Sequence, residues 1–381
     1  MTNRTIHVFI LILLLCTVMS CRKENTETQK KQLYLKGMQV TWNERMRKQG
    51  SHAVAGSPDE TWFSLADVQR MKDAGATCVE MHNIGLPELM PGRNLPNEKF
   101  FENWMDVWVD WCTQNKLYCI LNVTGLGAYD DWSFYLSLPY WLWDGIYSAP
   151  NHTNKPASDL IIRDFFDLDV TKQNVNRAAF IHLWKSIANR YKDNPYVIFG
   201  IMNEPFRKVN IPDEATAVHL GQSYSIFMEQ IVDSIRSTGA TQQIFIDMPF
   251  LWDNSGKNTV EPVDKDNIAW VAHVYGNIQE SNLESFKAGL DDDANLVIYE
   301  FNKPLFIGGY GFDPITGIRE NTGNDWKSIL TSEISYMNNF QLRGRQFDRW
   351  DYMNGEYGTF STESDLTQEE SDWIIQAVLT N

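Results

Sequence analysis

From residue 33 onward the chain repeats one unit: a short apolar run, a loop, an amphipathic segment and a second loop. The apolar runs fall at 33–40, 77–82, 117–123, 196–202, 243–248 and 268–275, then between 295 and 310, and last at 345–350. Each has the length of a strand, and β-branched and aromatic residues suit a pleated surface. The segments between them carry a helical period. Ser64 is placed to cap a helix over 65–74 that Gly75 closes. Phe101, Trp104, Trp108 and Trp111 share one face of a helix over 97–115, and Ile181, Trp184, Ile187 and Tyr191 share the face of another. Strands that alternate with helices pair in parallel, and eight such units predict a (β/α)8 TIM barrel, class α/β, over residues 33–381 as a single domain. A doubly wound open sheet is the alternative. It requires a glycine-rich phosphate turn that this sequence does not contain.

A chain of 381 residues has the volume for such a core. Its 33 Lys plus Arg stand against 49 Asp plus Glu, a formal charge of −16. That balance excludes a nucleic-acid partner, because phosphate binding needs a basic surface. No Cys/His cluster has zinc spacing and no P-loop is present, so neither a metal nor an organic cofactor is expected. The aromatic content is high, with 14 Trp, 15 Tyr and 20 Phe. Flat rings with a polar edge suit binding to sugars, although core packing is the ordinary reading of any single Trp. Residues 124–172 form a long insertion after the third run and include Trp132, Tyr140, Trp141 and Trp143. In a barrel this loop either walls a cleft on the active face or packs a small core of its own.

Residues 1–20 stand apart from the fold. Arg4 precedes an apolar run, Val8 to Met19, that is too short to span a bilayer. The run ends in Val18-Met19-Ser20-Cys21, which resembles a bacterial lipobox and implies a lipoprotein-type signal peptide with lipidation at Cys21. Ordinary secretion is the alternative, since Met19 is unusual in that box. Residues 21–32 are polar and aperiodic and read as a flexible tether. The expected location is therefore outside the cytoplasm, with the protein lipid-anchored at a bacterial membrane and its domain in solvent. Cys16 lies in the signal, and Cys78, Cys112 and Cys119 are expected to be buried free thiols rather than disulfide partners. The oligomeric state is not fixed by any of these features.

Chemistry concentrates where the fourth run ends, in Val197-Ile-Phe-Gly-Ile-Met-Asn203-Glu204-Pro205. A carboxyl group half-buried at the catalytic rim of a barrel strand can serve as a general acid, and the amide before it can hold a sugar hydroxyl. This run resembles the signature of glycoside hydrolase family 5, the cellulase-like members of the clan of retaining (β/α)8 glycosidases. The upstream text Trp184-Lys-Ser-Ile-Ala-Asn-Arg-Tyr191-Lys-Asp-Asn-Pro195 is similar to the helix that leads into that strand. The resemblance extends to His273-Val274-Tyr275, similar to the family's His-x-Tyr, and to Trp350, placed where the family has a Trp beneath the sugar next to the cleaved bond. It implies hydrolysis of a β-linked poly- or oligosaccharide with retention, Glu204 acting as acid and base, and Asn203, His273, Tyr275 and Trp350 positioning the sugar.

Three positions depart from that pattern. The second strand, where the family has Val-Arg-x-Pro, reads Val79-Glu80-Met81-His82; Glu80 and His82 are thus expected to line the sugar site or, for His82, to be structural. The third strand reads Asn122-Val123-Thr124 where the family offers a His. The nucleophile has two alignments. In one, Leu296 to Phe301 is the seventh strand and Glu300 attacks the anomeric carbon. In the other, Asn302-Lys-Pro304-Leu-Phe-Ile-Gly308-Gly309-Tyr310-Gly311 is that strand, Gly309 stands where the family has Glu, and 291–301 is a helix that begins at Asp291, Asp292 and Asp293. A retaining enzyme needs its second carboxylate roughly 5–5.5 Å from the acid. The second alignment therefore leaves Glu80 as the possible carboxylate, or a barrel that binds glycans without cutting them by the family's route.

Overall fold

The computed structural model describes residues 33–41, 64–84, 97–123, 175–206, 211, 213–249, 259–275, 283–311, 326–347 and 368–380. Residues Leu35–Asn381 form one compact unit. Eight parallel strands close in chain order: β1 (Leu35–Thr41), β2 (Cys78–Ile84), β3 (Tyr118–Val123), β4 (Val197–Gly200), β5 (Ile244–Asp247), β6 (Ile268–His273), β7 (Leu305–Tyr310) and β8 (Gly344–Phe347). β8 pairs back onto β1, so the sheet has no open edge and the doubly wound alternative is excluded.

Helices follow the strands. α1 (Leu65–Asp73) starts at Ser64, whose hydroxyl and N–H both meet the Asp67 carboxylate. A short turn, Glu98–Phe100, capped by Asn97, widens into a π-helical segment, Phe101–Met105, and runs on as α2 (Asp106–Gln114). Then come α3 (Val175–Tyr191), α4 (Glu214–Arg236), α5 (Leu283–Ala294), α6 (Trp326–Met337) and α7 (Gln368–Thr380). Their apolar faces cover the outside of the barrel: Trp184 of α3 meets Phe199 of β4 edge-on at 6.3 Å. Cys78, Cys112 and Cys119 are buried and free, as expected.

The interior is layered because side chains on a strand alternate with period two. Leu35, Cys78, Ile120, Ile198, Phe245, Ala269, Val271 and Phe306 form one apolar cluster, with the Phe245 and Phe306 rings stacked at 4.6 Å. Two residues farther along β2, β3, β5, β6 and β7 come Glu80, Asn122, Asp247, His273 and Gly308. With Gln39 of β1 and Gln346 of β8, they make a polar layer above the apolar one, on the side of the strands' C-terminal ends. The strands thus raise an apolar plug beneath and a polar floor above it.

Strand seven settles the alignment. The residues from Asn295 to Glu300 continue α5 as a π-helical segment, and β7 begins only at Leu305. The Glu300 alignment is therefore corrected: its apolar residues serve a helix face, with Leu296 and Val297 buried and Tyr299 and Glu300 exposed. The helix does not begin at Asp291 either. It runs from Leu283, so the three aspartates lie inside it, where Asp291 accepts a hydrogen bond from the Tyr336 hydroxyl at 2.8 Å and Asp293 is buried. Residues 1–32 with Cys21, the 124–172 insertion and Trp350 lie outside the described residues.

Candidate active site

The end of β4 is clamped on both sides. Asn203 donates its N–H to the Val123 carbonyl of β3 at 3.0 Å, and Ile201 donates to the Phe245 carbonyl of β5 at 3.1 Å. The Trp184 indole N–H reaches the Ile201 carbonyl at 3.1 Å. Immediately beyond, the backbone turns sharply. Glu204 has φ +42° and Phe206 φ +65°, both in the left-handed region that residues with side chains rarely adopt. Such strain persists only where neighbours hold it, and it concentrates at functional sites. Here the Glu204 N–H is held by Asp247 Oδ2 at 2.9 Å. Asn203 and Glu204 are both buried.

His273, at the end of β6, lies between two carboxylates. Its Nε2 is 3.1 Å from Asp247 Oδ2 and its Nδ1 is 3.4 Å from Glu204 Oε1, with all three side chains almost completely enclosed. Burial alone would pull the imidazole pKa down. The contact and charge of Asp247, followed by the charges of Glu204 and Glu80, outweigh it and carry the value up to about 9. Burial pushes the Asp247 carboxyl up, against the pull of His273 and of the Glu204 N–H.

The departures from the family pattern touch one another. Glu80 Oε1 accepts from Asn122 Nδ2 at 2.9 Å, so the residue at the position of the resemblance's Arg is bonded to one from the stretch near which the family offers a His. Glu80 Oε2 accepts from Gln346 Nε2, which also donates to the Gly308 carbonyl at 2.5 Å; Gln39 Nε2 donates to the same carbonyl. Glu80 is therefore joined through a single amide to the backbone beside Gly309.

Gly309 is enclosed. A Cβ there would collide with the Tyr275 hydroxyl and stand 2.9 Å from His273 Nδ1 and 3.1 Å from Tyr275 Cζ. At Gly308 a Cβ would meet the Val271 side chain and stand 2.9 Å from His273 Nε2. The space that a strand-seven side chain would cross is filled by the rings of the His273-x-Tyr275 pair. Glu300 is exposed ahead of β7, and the whole strand separates it from the rim that carries Glu204.

Of the expected site residues, Glu204, His273, Tyr275, Asn203 and Glu80 belong to the strand-end face, and Glu300 does not. His82 lies in β2 opposite Thr41 of β1, and its side chain falls outside the described residues. Asp247 was not singled out from the sequence. Its signal was a carboxylate two residues after Phe245 on an otherwise apolar strand.

A family model described as Cellulase (glycosyl hydrolase family 5) matches residues 44–354. Curated relatives include Endoglucanase A of Butyrivibrio fibrisolvens, 22% identical over 57% of this chain and 47% of its own length. Another is Endoglucanase EG-II of Hypocrea jecorina, 40% identical over 19% of this chain and 14% of its own length. The chain thus spans less than half the length of these relatives. Among solved structures, a GH5-4 broad specificity endoglucanase from an uncultured bacterium has a TM-score of 0.62 at 16% identity, over 93% of this chain and 99% of that one. Endo-glycoceramidase II from Rhodococcus sp. has a TM-score of 0.63 at 16% identity, over 90% and 78%. At such identities the likeness is one of fold.

Proposed function

This chain belongs to glycosyl hydrolase family 5, and we propose that it cleaves a β-linked glycan at its strand-end rim with Glu204 as the proton donor. The observation that carries this reading is the Glu204 carboxyl on its strained turn, faced by His273 at 3.4 Å. Glu204 protonates the leaving oxygen as the glycosidic bond breaks, Asn203 holds a sugar hydroxyl, and Tyr275 borders the reacting carbon. The relatives' endoglucanase names make a β-glucan the first substrate to try.

The family's retaining route, which the resemblance implied, is set aside for this chain. It needs a carboxylate roughly 5–5.5 Å from the acid to form a glycosyl-enzyme, and strand seven offers Gly309 with a tyrosine hydroxyl against it. We infer instead that water attacks the anomeric carbon directly, with inversion, and that Glu80 takes its proton. The amides of Asn122 and Gln346 orient the Glu80 carboxylate and link it to strand seven. A second reading, glycan binding without cleavage, is favoured by the burial of Glu80 at 2% exposure. The lipobox-like run supports a lipid anchor at Cys21 on an exported protein. Among the described residues, no helix is long and apolar enough to cross a membrane.

The test is proton NMR of cello-oligosaccharides during the first minutes of reaction. Inversion predicts the α-anomer as first product, lost in Glu80→Gln. The β-anomer first would sink the direct-water route. Shifted sugar resonances without any product would select the binding reading.

A further inference from the structure

Asp247 lies outside every motif that identified the site, yet it touches Glu204 by two routes. Its Oδ2 accepts the Glu204 N–H at 2.9 Å, and the same oxygen is 3.1 Å from His273 Nε2, whose other nitrogen is 3.4 Å from the Glu204 carboxyl. Asp247 is itself fixed: it is 1% exposed, its carbonyl accepts the buried Tyr224 hydroxyl at 2.6 Å, and the next N–H, of Met248, donates to the Val271 carbonyl at 2.7 Å.

We propose that Asp247 is the positioning residue of this site, fixing the backbone of Glu204 directly and its carboxyl group through the His273 ring. The proposal rests on the reading of Glu204 as proton donor. A left-handed residue on a loop relaxes unless its N–H is tied down, and Asp247 supplies the tie. The imidazole lies between the two carboxylates, and the backbone that carries Asp247 is anchored on β5 by the Tyr224 hydroxyl and the Met248–Val271 bond. Among the described residues, the groups facing His273 are Asp247 from β5, Glu204 from the turn after β4, Glu80 from β2 and the Tyr275 ring at 6.4 Å, with Gly308 and Gly309 of β7 beside it. Asp247 is the largest influence that raises the imidazole pKa, ahead of Glu204 and Glu80.

Two variants separate the routes. Asp247→Asn keeps an oxygen to accept the Glu204 N–H and removes the charge; Asp247→Ala removes both. The His273 titration, followed by nitrogen-resolved NMR of the imidazole in the full chain, needs no turnover. A wild-type midpoint near 9 is expected to fall by at least tenfold in proton affinity in Asp247→Asn, with the thermal midpoint nearly unchanged. Hydrolysis of cello-oligosaccharides should lose its alkaline limb at correspondingly lower pH in that variant. In Asp247→Ala, kcat should fall further, on the order of 10²-fold, with KM changed much less. An unmoved His273 titration in Asp247→Asn would overturn the proposal, and so would an alkaline limb that does not follow it. A wild-type protein that shows the titration and cleaves nothing would refute the proposed function and leave the Asp247–His273 linkage standing.

Discussion

Residue 309 carries a hydrogen where the family pattern has a carboxylate, and its surroundings have closed over the difference. The Tyr275 hydroxyl and the His273 ring fill the space a Cβ would enter. Gly309→Glu should therefore not restore a retaining enzyme. It should lower stability by about 1–3 kcal/mol through overpacking and give no covalent adduct with a 2-fluoro glycoside, measured by thermal unfolding and intact mass. A stable protein that forms the adduct would contradict this account. At this scale the sequence was uneven in what it disclosed. Glu204 was legible because Asn203-Glu204-Pro205 ends a buried strand, and His273 and Tyr275 because their spacing fits one strand end. Asp247 was not, because a single carboxylate closing a strand looks the same whether it meets solvent or, as here, a backbone N–H and an imidazole from other strands.

Among the elements, α6 carries a group that nothing in the proposed chemistry uses. Trp326, Leu330, Glu333, Ile334 and Met337 form its buried face. Glu333 Oε2 has no hydrogen-bond partner among the described residues. Burial pushes this carboxyl up to about 8 from its ordinary 4.5. Between those values the folded protein keeps the proton while the unfolded chain loses it, so stability falls as pH rises through the window and levels above about 8. Glu333→Gln removes that dependence. Its gain over the wild type should be negligible near pH 4.5 and on the order of 1–3 kcal/mol at pH 8, read from urea midpoints at the two pH values. An equal gain at both would point to a charge already neutralised. The seventh strand was the element the sequence left open, for a physical reason. Leu296-Val-Ile-Tyr-Glu300 has strand composition, and its helical state is fixed only by continuity with α5, burying Leu296 and Val297. Local propensity did not decide it.

Across the whole molecule the barrel was legible because its signal is repeated: eight apolar runs separated by amphipathic segments admit few closed arrangements. What was not legible is the layer that period-two alternation builds inside. Gln39, Glu80, Asn122, Asp247, His273 and Gln346 are distant in the chain, and only closure of β8 onto β1 brings their polar groups to one floor. Departures that look independent along the sequence, at 80, 122 and 309, become neighbours in one network there. On the proposed reading Glu204 does the acid chemistry of this barrel, and β7 contributes no carboxylate. The first experiment is cello-oligosaccharide hydrolysis by the wild type, Glu204→Gln and Glu300→Gln. The rate should fall about 10²–10⁴-fold in Glu204→Gln and stay unchanged in Glu300→Gln. Hydrolysis that survives Glu204→Gln, or that disappears in Glu300→Gln, would contradict that reading.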